Sequence, residues 1–211
     1  MIESINIRSF VMLILLSYLF GSIPFAYIAG KIKGIDITKH GSGNVGATNT
    51  MRLLGKSWGF FVFFLDALKG FIPAAIFVKL LFNKNNEALE LESVYLIAAA
   101  LFAILGHIYS VWIDFKGGKG AATGFGALLA IIPYIMLISL GIFIIFIILF
   151  KYVSLASIMA ALSIPVLFLF FESLHEKKEI FIFLLIISLF VVYKHKSNIN
   201  RLLNGTENKI L

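Results

Sequence analysis

The chain has 211 residues, of which 60% are hydrophobic and 14% charged, and its mean hydropathy is +0.99. Soluble domains carry roughly 25% charged residues, so an ordinary soluble domain is excluded and an all-α protein that crosses a membrane several times is predicted. We expect one domain over residues 1–211. Lysines and arginines in cytoplasmic loops explain the net charge of +7, so no nucleic-acid partner is expected. The chain has no cysteine, which excludes disulfides and thiolate metal sites.

Apolar runs predict the membrane spans in chain order. The first covers residues 10–29, and because no small-residue cleavage site follows it, we expect an anchor rather than a signal peptide. Its glycines and proline, Gly21, Pro24 and Gly30, predict a kinked or closely packed helix. Further spans are predicted at 54–82, 94–113, 155–171 and 180–193. The run 121–150 is either one long tilted span or two short spans that turn near Pro133.

Three polar islands separate these spans, and the first covers residues 31–52. Its segment Gly41–Arg52 is dense in small residues and hydrogen-bonding side chains. Arg52 closes the segment just before an apolar helix. An arginine at that place either snorkels at the membrane edge or binds a phosphate through two hydrogen bonds.

The second island, residues 115–123, contains three glycines and two lysines: Gly117, Gly118, Gly120, Lys116 and Lys119. Glycines allow backbone N–H groups to converge on one point, and a lysine among them favours a phosphate-like anion. The alternative is a flexible basic loop. A nucleotide-binding P-loop is excluded, because its spacing requires glycine at position 113 and serine or threonine at 120, where the chain has isoleucine and glycine.

The third island, residues 194–207, carries His195, Asn198 and Arg201 at spacings of three. On a helix these side chains lie along nearly one face. The alternative is an amphipathic tail at the membrane surface.

Two features lie inside predicted spans. Asp66 and Lys69 share one helical face, and they either neutralise each other while packing helices or support the site as a second layer. His107 is either a structural hydrogen-bonding residue or a catalyst.

Charge distribution decides between the topologies. Only two crossings within 121–150 return the third island to the side of the first two. One side then carries twelve lysines and arginines against three carboxylates, and the other carries five against seven. We therefore expect seven transmembrane helices, some of them short, with the N-terminus outside and the C-terminus cytoplasmic. All three islands then meet in one cytoplasm-facing cleft.

Together the islands resemble the bacterial acyl-phosphate-dependent glycerol-3-phosphate acyltransferases, the PlsY family, over essentially the whole chain. The matching segments are Gly-Ser-Gly-Asn-Val-Gly-Ala-Thr-Asn at 41–49 with Arg52, Gly-His at 106–107 before Phe-Lys-Gly-Gly-Lys-Gly-Ala-Ala-Thr at 115–123, and His195 with Asn198 and Arg201. The resemblance implies transfer of a fatty acyl group from acyl phosphate to the 1-hydroxyl of glycerol 3-phosphate. The products are lysophosphatidic acid and inorganic phosphate, and this is the first step of phospholipid synthesis. No cofactor and no metal is expected.

The resemblance and the chemistry also assign roles. Lys119 and the N–H groups of Gly117, Gly118 and Gly120 are assigned to phosphate binding and leaving-group stabilisation. Glycerol 3-phosphate is assigned to Arg52, Ser42, Ser154, His195, Asn198 and Arg201. Asn44 and Thr48 shape the first loop or bind directly. Of these, Lys119, Ser42, His195 and Arg52 are the expected catalytic residues.

The proton acceptor is either His195 or the substrate's own phosphate; the second is favoured, and no acyl-enzyme is expected. The family implies the bacterial cytoplasmic (inner) membrane, an active site facing the cytoplasm, and a soluble phosphate acyltransferase upstream as functional partner. Two other classes stay open: a transporter or channel for phosphorylated solutes, and a non-catalytic scaffold. The polar islands at one face, with no visible inverted repeat, argue against transport.

Overall fold

The computed structural model describes residues 6–82, 91–172 and 177–210, and all regular structure in these ranges is helical. The α-helices are α1 (Ile7–Gly21), α2 (Phe25–Ile32), α3 (Ala47–Leu54), α4 (Lys56–Ile72), α5 (Val78–Leu81), α6 (Glu92–Ile108), α7 (Ala121–Ile131), α8 (Pro133–Phe150), α9 (Val153–Phe171), α10 (Lys178–Lys194) and α11 (Lys196–Leu203). The chain folds as two compact units, Met1–Ile131 and Ile132–Leu211.

Prolines interrupt the helices of the first unit. Pro24 has no N–H to donate, and α1 ends three residues before it while α2 begins directly after it. The predicted kink in the first span is thus confirmed. At Pro73 the helix continues, but its hydrogen-bond pattern widens from the α-helical to the π-helical spacing. This π-helical turn, Pro73–Phe77, joins α4 to α5.

Glycines bring helix backbones of the first unit into direct contact. A Cβ added at Gly21 would overlap the backbone of Ala103, which places α1 against α6. A Cβ at Gly70 would overlap Thr123, so α4 is held equally close to α7. Such approach through small residues maximises van der Waals contact where lipid supplies no hydrophobic force between helices.

The second unit is built from α8 to α11. Ile132 alone separates α7 from α8, which begins at Pro133, so the interruption predicted near Pro133 is confirmed. Lys151, with φ of 63°, ends α8 in the left-handed conformation. Two serine hydroxyls donate to carbonyls of α9: Ser139 to Ala160 at 2.9 Å and Ser188 to Ala161 at 2.7 Å.

Five helical segments in the described residues are long and apolar enough to cross a membrane: Ile7–Ile32, Lys56–Leu81, Glu92–Ile113, Pro133–Phe150 and Val153–Phe171. Helices α10 and α11, bent by 55° at His195, make a sixth if they count as one broken span. Helix α7 is apolar but has only 11 residues. Seven crossings and their orientation therefore stay predictions, and the expected outer loops at 83–93 and 172–179 fall partly outside the described residues.

Candidate active site

A buried asparagine shapes the first polar island. The Asn49 side chain is fully buried and donates to the carbonyls of Ile37, at 3.0 Å, and His40, at 3.2 Å. Its Oδ1 accepts the N–H of Ser42 at 2.9 Å. An unsatisfied buried amide costs about 1–3 kcal/mol, so these bonds hold the turn before α3 in one conformation. Sequence reasoning missed this role, although Asn49 lies in the matched segment.

The expected binding residues of this island lie around that turn. Ser42 and Arg52 are exposed, the latter in the last turn of α3. Asn44 and Thr48 are half-buried. The carbonyl of Asn44 accepts the N–H of Gly46 at 3.1 Å, so this residue helps to form the tight turn that leads into α3. The island thus presents a hydroxyl and a guanidinium on its open side.

The glycine-lysine loop of the second island is fastened to the end of α6. Gly117 donates its N–H to the Ile108 carbonyl at 3.0 Å, and Gly118 donates to the His107 carbonyl at 3.1 Å. These two N–H groups therefore bind α6, and the expectation that they point at a phosphate is corrected. Carbonyls at a helix C-terminus lack intrahelical donors, which is the physical reason why they take the loop N–H groups.

The two islands meet at Gly118. A Cβ on this residue would overlap both the Val45 carbonyl and the imidazole Nε2 of His107. The glycine is required here by close approach rather than by an unusual φ. Lys119 follows directly and is half-buried, and Gly120, with φ of 80°, turns the chain into α7. The first unit therefore brings the serine and arginine island against the glycine-lysine loop.

A buried ionic cluster lies next to the contact of Gly118 with Val45 and His107. Lys69 Nζ is 2.8 Å from Asp66 Oδ1, and His107 Nδ1 is 3.6 Å from the same oxygen. Asp66, Lys69 and His107 are 1%, 2% and 6% exposed, which is rare for charged residues unless they are paired. Lys69 also donates to the Ile23 carbonyl at 2.6 Å. Asp66 and Lys69 thus neutralise each other. In addition, Lys69 contacts the helix break next to Pro24, and Asp66 lies near His107 beside the loop.

In the second unit, three of the expected residues converge on a carboxylate. Glu207 Oε1 accepts from Ser154 Oγ at 2.8 Å and from Asn198 Nδ2 at 2.7 Å, while Oε2 accepts from Arg201 Nε at 2.6 Å. Burial raises the pKa of Glu207, but the hydrogen bonds from Asn198, Ser154 and Arg201 outweigh it and hold that pKa below its ordinary value. We call these four residues the Glu207 clamp.

The clamp depends on a turned-back C-terminal segment. The N–H of Thr206 donates to the Arg201 carbonyl at 2.8 Å, and the N–H of Ile210 donates to the Lys151 carbonyl at 2.7 Å. Sequence reasoning missed Glu207 as a partner of Ser154, Asn198 and Arg201. The one available signal was a lone carboxylate in an otherwise basic island.

His195 lies at the junction of α10 and α11 and is 5% exposed. Its Nδ1 is 2.8 Å from the Val191 carbonyl. A carbonyl only accepts, so Nδ1 carries the proton, and in a neutral imidazole Nε2 is then the acceptor. The predicted ridge is present in part: Asn198 and Arg201 lie on α11, whereas His195 precedes the helix.

These features define an all-helical membrane protein in which cationic and glycine-rich loops are suited to binding phosphate groups beside lipid. The family profile of glycerol-3-phosphate acyltransferase matches residues 11–205. The chain therefore belongs to the glycerol-3-phosphate acyltransferase family.

Individual relatives agree over nearly the full length. The glycerol-3-phosphate acyltransferase of Fusobacterium nucleatum subsp. nucleatum is 46% identical over 202 residues, which are 95% of this chain and 98% of the relative. That of Aquifex aeolicus is 43% identical over 197 residues, 93% of this chain and 97% of the relative.

Solved structures agree as well. The glycerol 3-phosphate form of PlsY, an integral membrane glycerol 3-phosphate acyltransferase, is similar with a TM-score of 0.86 and 40% identity, over 96% of each chain. The lysophosphatidic acid form gives 0.83 with the same identity and coverage. The resemblance to the PlsY family is thus confirmed.

Proposed function

We propose that this chain transfers a fatty acyl group from an acyl phosphate to the 1-hydroxyl of glycerol 3-phosphate, giving lysophosphatidic acid and inorganic phosphate. The observation that carries the proposal is the contact of Gly118 with Val45. It puts Lys119 beside the island of Ser42 and Arg52, so that cationic groups for two phosphates belong to neighbouring loops. The similar PlsY structures, in glycerol 3-phosphate and lysophosphatidic acid forms, fit the acceptor and the product.

The reaction asks for positioning rather than for a nucleophilic side chain. An acyl phosphate is a mixed anhydride, so its carbonyl is already activated. The acceptor hydroxyl oxygen attacks the carbonyl carbon, the carbon–oxygen bond to phosphate breaks, and the electron pair leaves with inorganic phosphate. The hydroxyl proton passes to an oxygen of the acceptor's own phosphate. Fixed cations lower the barrier by stabilising the charge that develops on the carbonyl oxygen and the leaving phosphate.

Lys119 is our candidate for the leaving phosphate. Because the N–H groups of Gly117 and Gly118 are engaged with α6, we assign the backbone contribution to the start of α7 instead. The first N–H groups of a helix lack intrahelical acceptors and carry the positive end of the helix dipole. Gly120 turns the chain so that these groups follow Lys119 directly.

Within the first unit, Ser42 and Arg52 are assigned to glycerol 3-phosphate, and the residues of the third island are considered within the second unit. There the Glu207 clamp orients Ser154, Asn198 and Arg201, and His195 contributes its Nε2 edge as an orienting acceptor rather than as the base. Asn44 and Thr48 shape the first loop. We propose that residues 1–211 work as one catalytic domain, because the family profile covers 11–205 and so includes both units.

We further propose seven crossings, with the N-terminus outside and the islands facing the cytoplasm of a bacterial inner membrane. The charge asymmetry of the loops supports this orientation. Helix α7 is about 16 Å long at 1.5 Å per residue, roughly half of the hydrocarbon core. Its crossing therefore requires the glycine-lysine loop to lie below the membrane surface.

The absence of cysteine from the chain makes the topology testable with single cysteines. Cysteines placed at Arg8 and at Lys116, both exposed, are labelled in intact cells with an impermeant maleimide. We expect labelling at position 8 and protection at position 116 until the membrane is opened. The reverse pattern, or labelling of both, contradicts the orientation.

The donor has to be made by another enzyme, because acyl phosphates hydrolyse and do not accumulate. We propose functional coupling to a soluble phosphate acyltransferase that forms the acyl phosphate from a carrier-bound acyl group.

The experiment that tests the function is phosphate release by the purified protein in lipid, given palmitoyl phosphate with and without glycerol 3-phosphate. We expect release to require the acceptor. Lys119→Ala is expected to lower it about 100- to 1,000-fold, the usual cost of one preorganised electrostatic group. Lys116→Ala is the matched control, since it removes an exposed lysine three residues away, and it is expected to retain most activity.

Each other outcome has a distinct meaning. Release without the acceptor indicates a hydrolase and overturns the transfer. No release from folded protein, together with flux of glycerol 3-phosphate into empty liposomes, indicates a transporter. An equal loss in both lysine variants assigns the effect to general charge rather than to Lys119.

A further inference from the structure

The ionic cluster of Asp66, Lys69 and His107 borders the glycine-lysine loop at Gly117 and Gly118. Asp66 Oδ1 is 2.8 Å from Lys69 Nζ and 3.6 Å from His107 Nδ1. The three residues line a narrow crevice together with Gly117 and Val45, one residue from each of the loops that meet at the candidate site. Charges are seldom retained in a membrane span without a task.

Lys69 ties the cluster to a helix break. Its Nζ donates to the Ile23 carbonyl at 2.6 Å, at the point where Pro24 interrupts the first span. The same ammonium lies over the Phe25 ring, 5.5 Å from the centroid. One cation therefore fixes the relation between α4 and the α1–α2 junction.

His107 ties the cluster to the loop. Its carbonyl accepts the Gly118 N–H at 3.1 Å, and its Nε2 lies where a side chain on Gly118 would be. The opposite edge of the same ring faces Asp66. The imidazole thus stands between a fixed carboxylate and the residue that precedes Lys119, and Gly118 in turn contacts Val45 of the first island.

We propose that Asp66 and His107 are positioning residues that set the glycine-lysine loop, and with it Lys119, against the first polar island. The proposal rests on the proposed function for its kinetic consequence, though not for its structural one. Asp66 is paired with Lys69, His107 Nδ1 faces Asp66 Oδ1 at 3.6 Å, and both the carbonyl and the ring of His107 contact Gly118. A displacement of about 1 Å at a reacting group is enough to cost roughly 100-fold in rate.

The structural test uses spin labels, because the chain has no cysteine of its own. Labels at Lys39 and Lys116, both exposed and outside the assigned machinery, report the separation of the two islands by electron paramagnetic resonance. We expect a narrow distance distribution in the parent protein and a broader or shifted one in Asp66→Asn. If Asp66→Asn fails to fold, His107→Asn is used in its place. This variant keeps an amide toward Asp66 but removes the ring edge at Gly118, and we expect the same broadening or shift of the distance distribution.

The matched control is Tyr95→Leu. Tyr95 is fully buried on α6, in the core cluster with Leu13 and Val78 at the other end of that helix. This variant loses core packing at a place that does not contact the loop. We expect it to leave the distance distribution between the two labels unchanged, even when it is destabilised to heat as much as Asp66→Asn. The same broadening in Tyr95→Leu overturns the proposal, as does an unchanged distribution in both His107→Asn and Asp66→Asn.

The kinetic test separates this proposal from the proposed function. We expect kcat for acyl transfer to fall about 100-fold in Asp66→Asn, with KM for glycerol 3-phosphate within about threefold of the parent value. A raised KM for glycerol 3-phosphate with an unchanged kcat overturns the proposal that Asp66 positions Lys119. Broadening of the loop distribution in a protein that shows no acyl transfer at all supports the positioning and rejects the proposed function.

Discussion

Two buried carboxylates organise the two units in different ways. Asp66 is paired with Lys69 one turn along the same helix, inside a membrane span. Glu207 instead gathers Ser154 and Asn198 together with Arg201, whose side chain is 37% exposed. The Asp66–Lys69 pair lies within one helix and is ionic and buried, whereas the Glu207 clamp is mostly hydrogen-bonded, draws on Ser154 from α9 and is partly exposed at Arg201. A buried pair is visible from sequence when its partners share a helix, and it is invisible when chain reversal assembles it.

The largest expected effect is at Lys69, because its removal leaves a carboxylate uncompensated in the buried cluster. Lys69→Met is expected to lower the free energy of unfolding by about 3–5 kcal/mol, measured by thermal unfolding in detergent. The double variant Asp66→Leu, Lys69→Met removes both charges and is expected to regain most of that stability. If the double variant is as unstable as the single one, packing rather than charge pairing holds the cluster.

At the clamp we expect a smaller loss. Glu207→Ala removes three hydrogen bonds, but the Arg201 side chain is 37% exposed, so the free energy of unfolding is expected to fall by about 3 kcal/mol. Glu207→Gln keeps one carbonyl acceptor and is expected to lose about half as much. Equal losses for the two variants assign the stabilisation to the charge rather than to the carbonyl acceptor, and no loss in Glu207→Gln contradicts a role for the charge. If Glu207→Ala keeps its activity, the clamp is not needed to orient Ser154 and Asn198.

Replacing Gly118 tests the contact by which the ionic cluster reaches the loop. Gly118→Ala places a methyl group into the Val45 carbonyl and the His107 ring, and overpacking of this kind costs about 1–3 kcal/mol. We expect acyl transfer to be lost before the fold is. Gly141→Ala on α8 is the matched control, because nothing lies within 4 Å of its added Cβ; it is expected to keep full activity.

The smallest effect is the pH dependence of the clamp. The folded pKa of Glu207 is below its ordinary value, and the ordinary pKa of a glutamate is about 4.3. The corresponding stability is therefore fully present above that value and is lost as pH falls through the lowered pKa. Below about pH 4.3, the midpoint temperature of thermal unfolding is expected to fall more steeply with decreasing pH in the parent protein than in Glu207→Gln. Parallel curves contradict the assignment.

Local sequence carried much of the fold and part of the site. Apolar runs predicted where helices lie, and prolines predicted the interruptions near Pro24 and Pro133, because a missing N–H acts on the chain locally. The resemblance of the islands led to the family that the comparisons then established. The assignment of the Gly117 and Gly118 N–H groups to phosphate was wrong, since no local pattern tells which acceptor an N–H will meet.

Local sequence is enough to specify a helical membrane protein, its helix breaks, its polar islands and its family, because hydropathy, missing donors and residue types act within a few positions. Tertiary packing is needed to bring Gly118 against Val45 and His107, to direct the loop N–H groups to α6, and to join Glu207 to Ser154, Asn198 and Arg201. Two of those contacts, Gly118 with Val45 and Glu207 with Ser154, join residues far apart in the chain. They depend on how closely helices pack and where the chain turns back, and both are settled when every buried donor, acceptor and charge finds its partner.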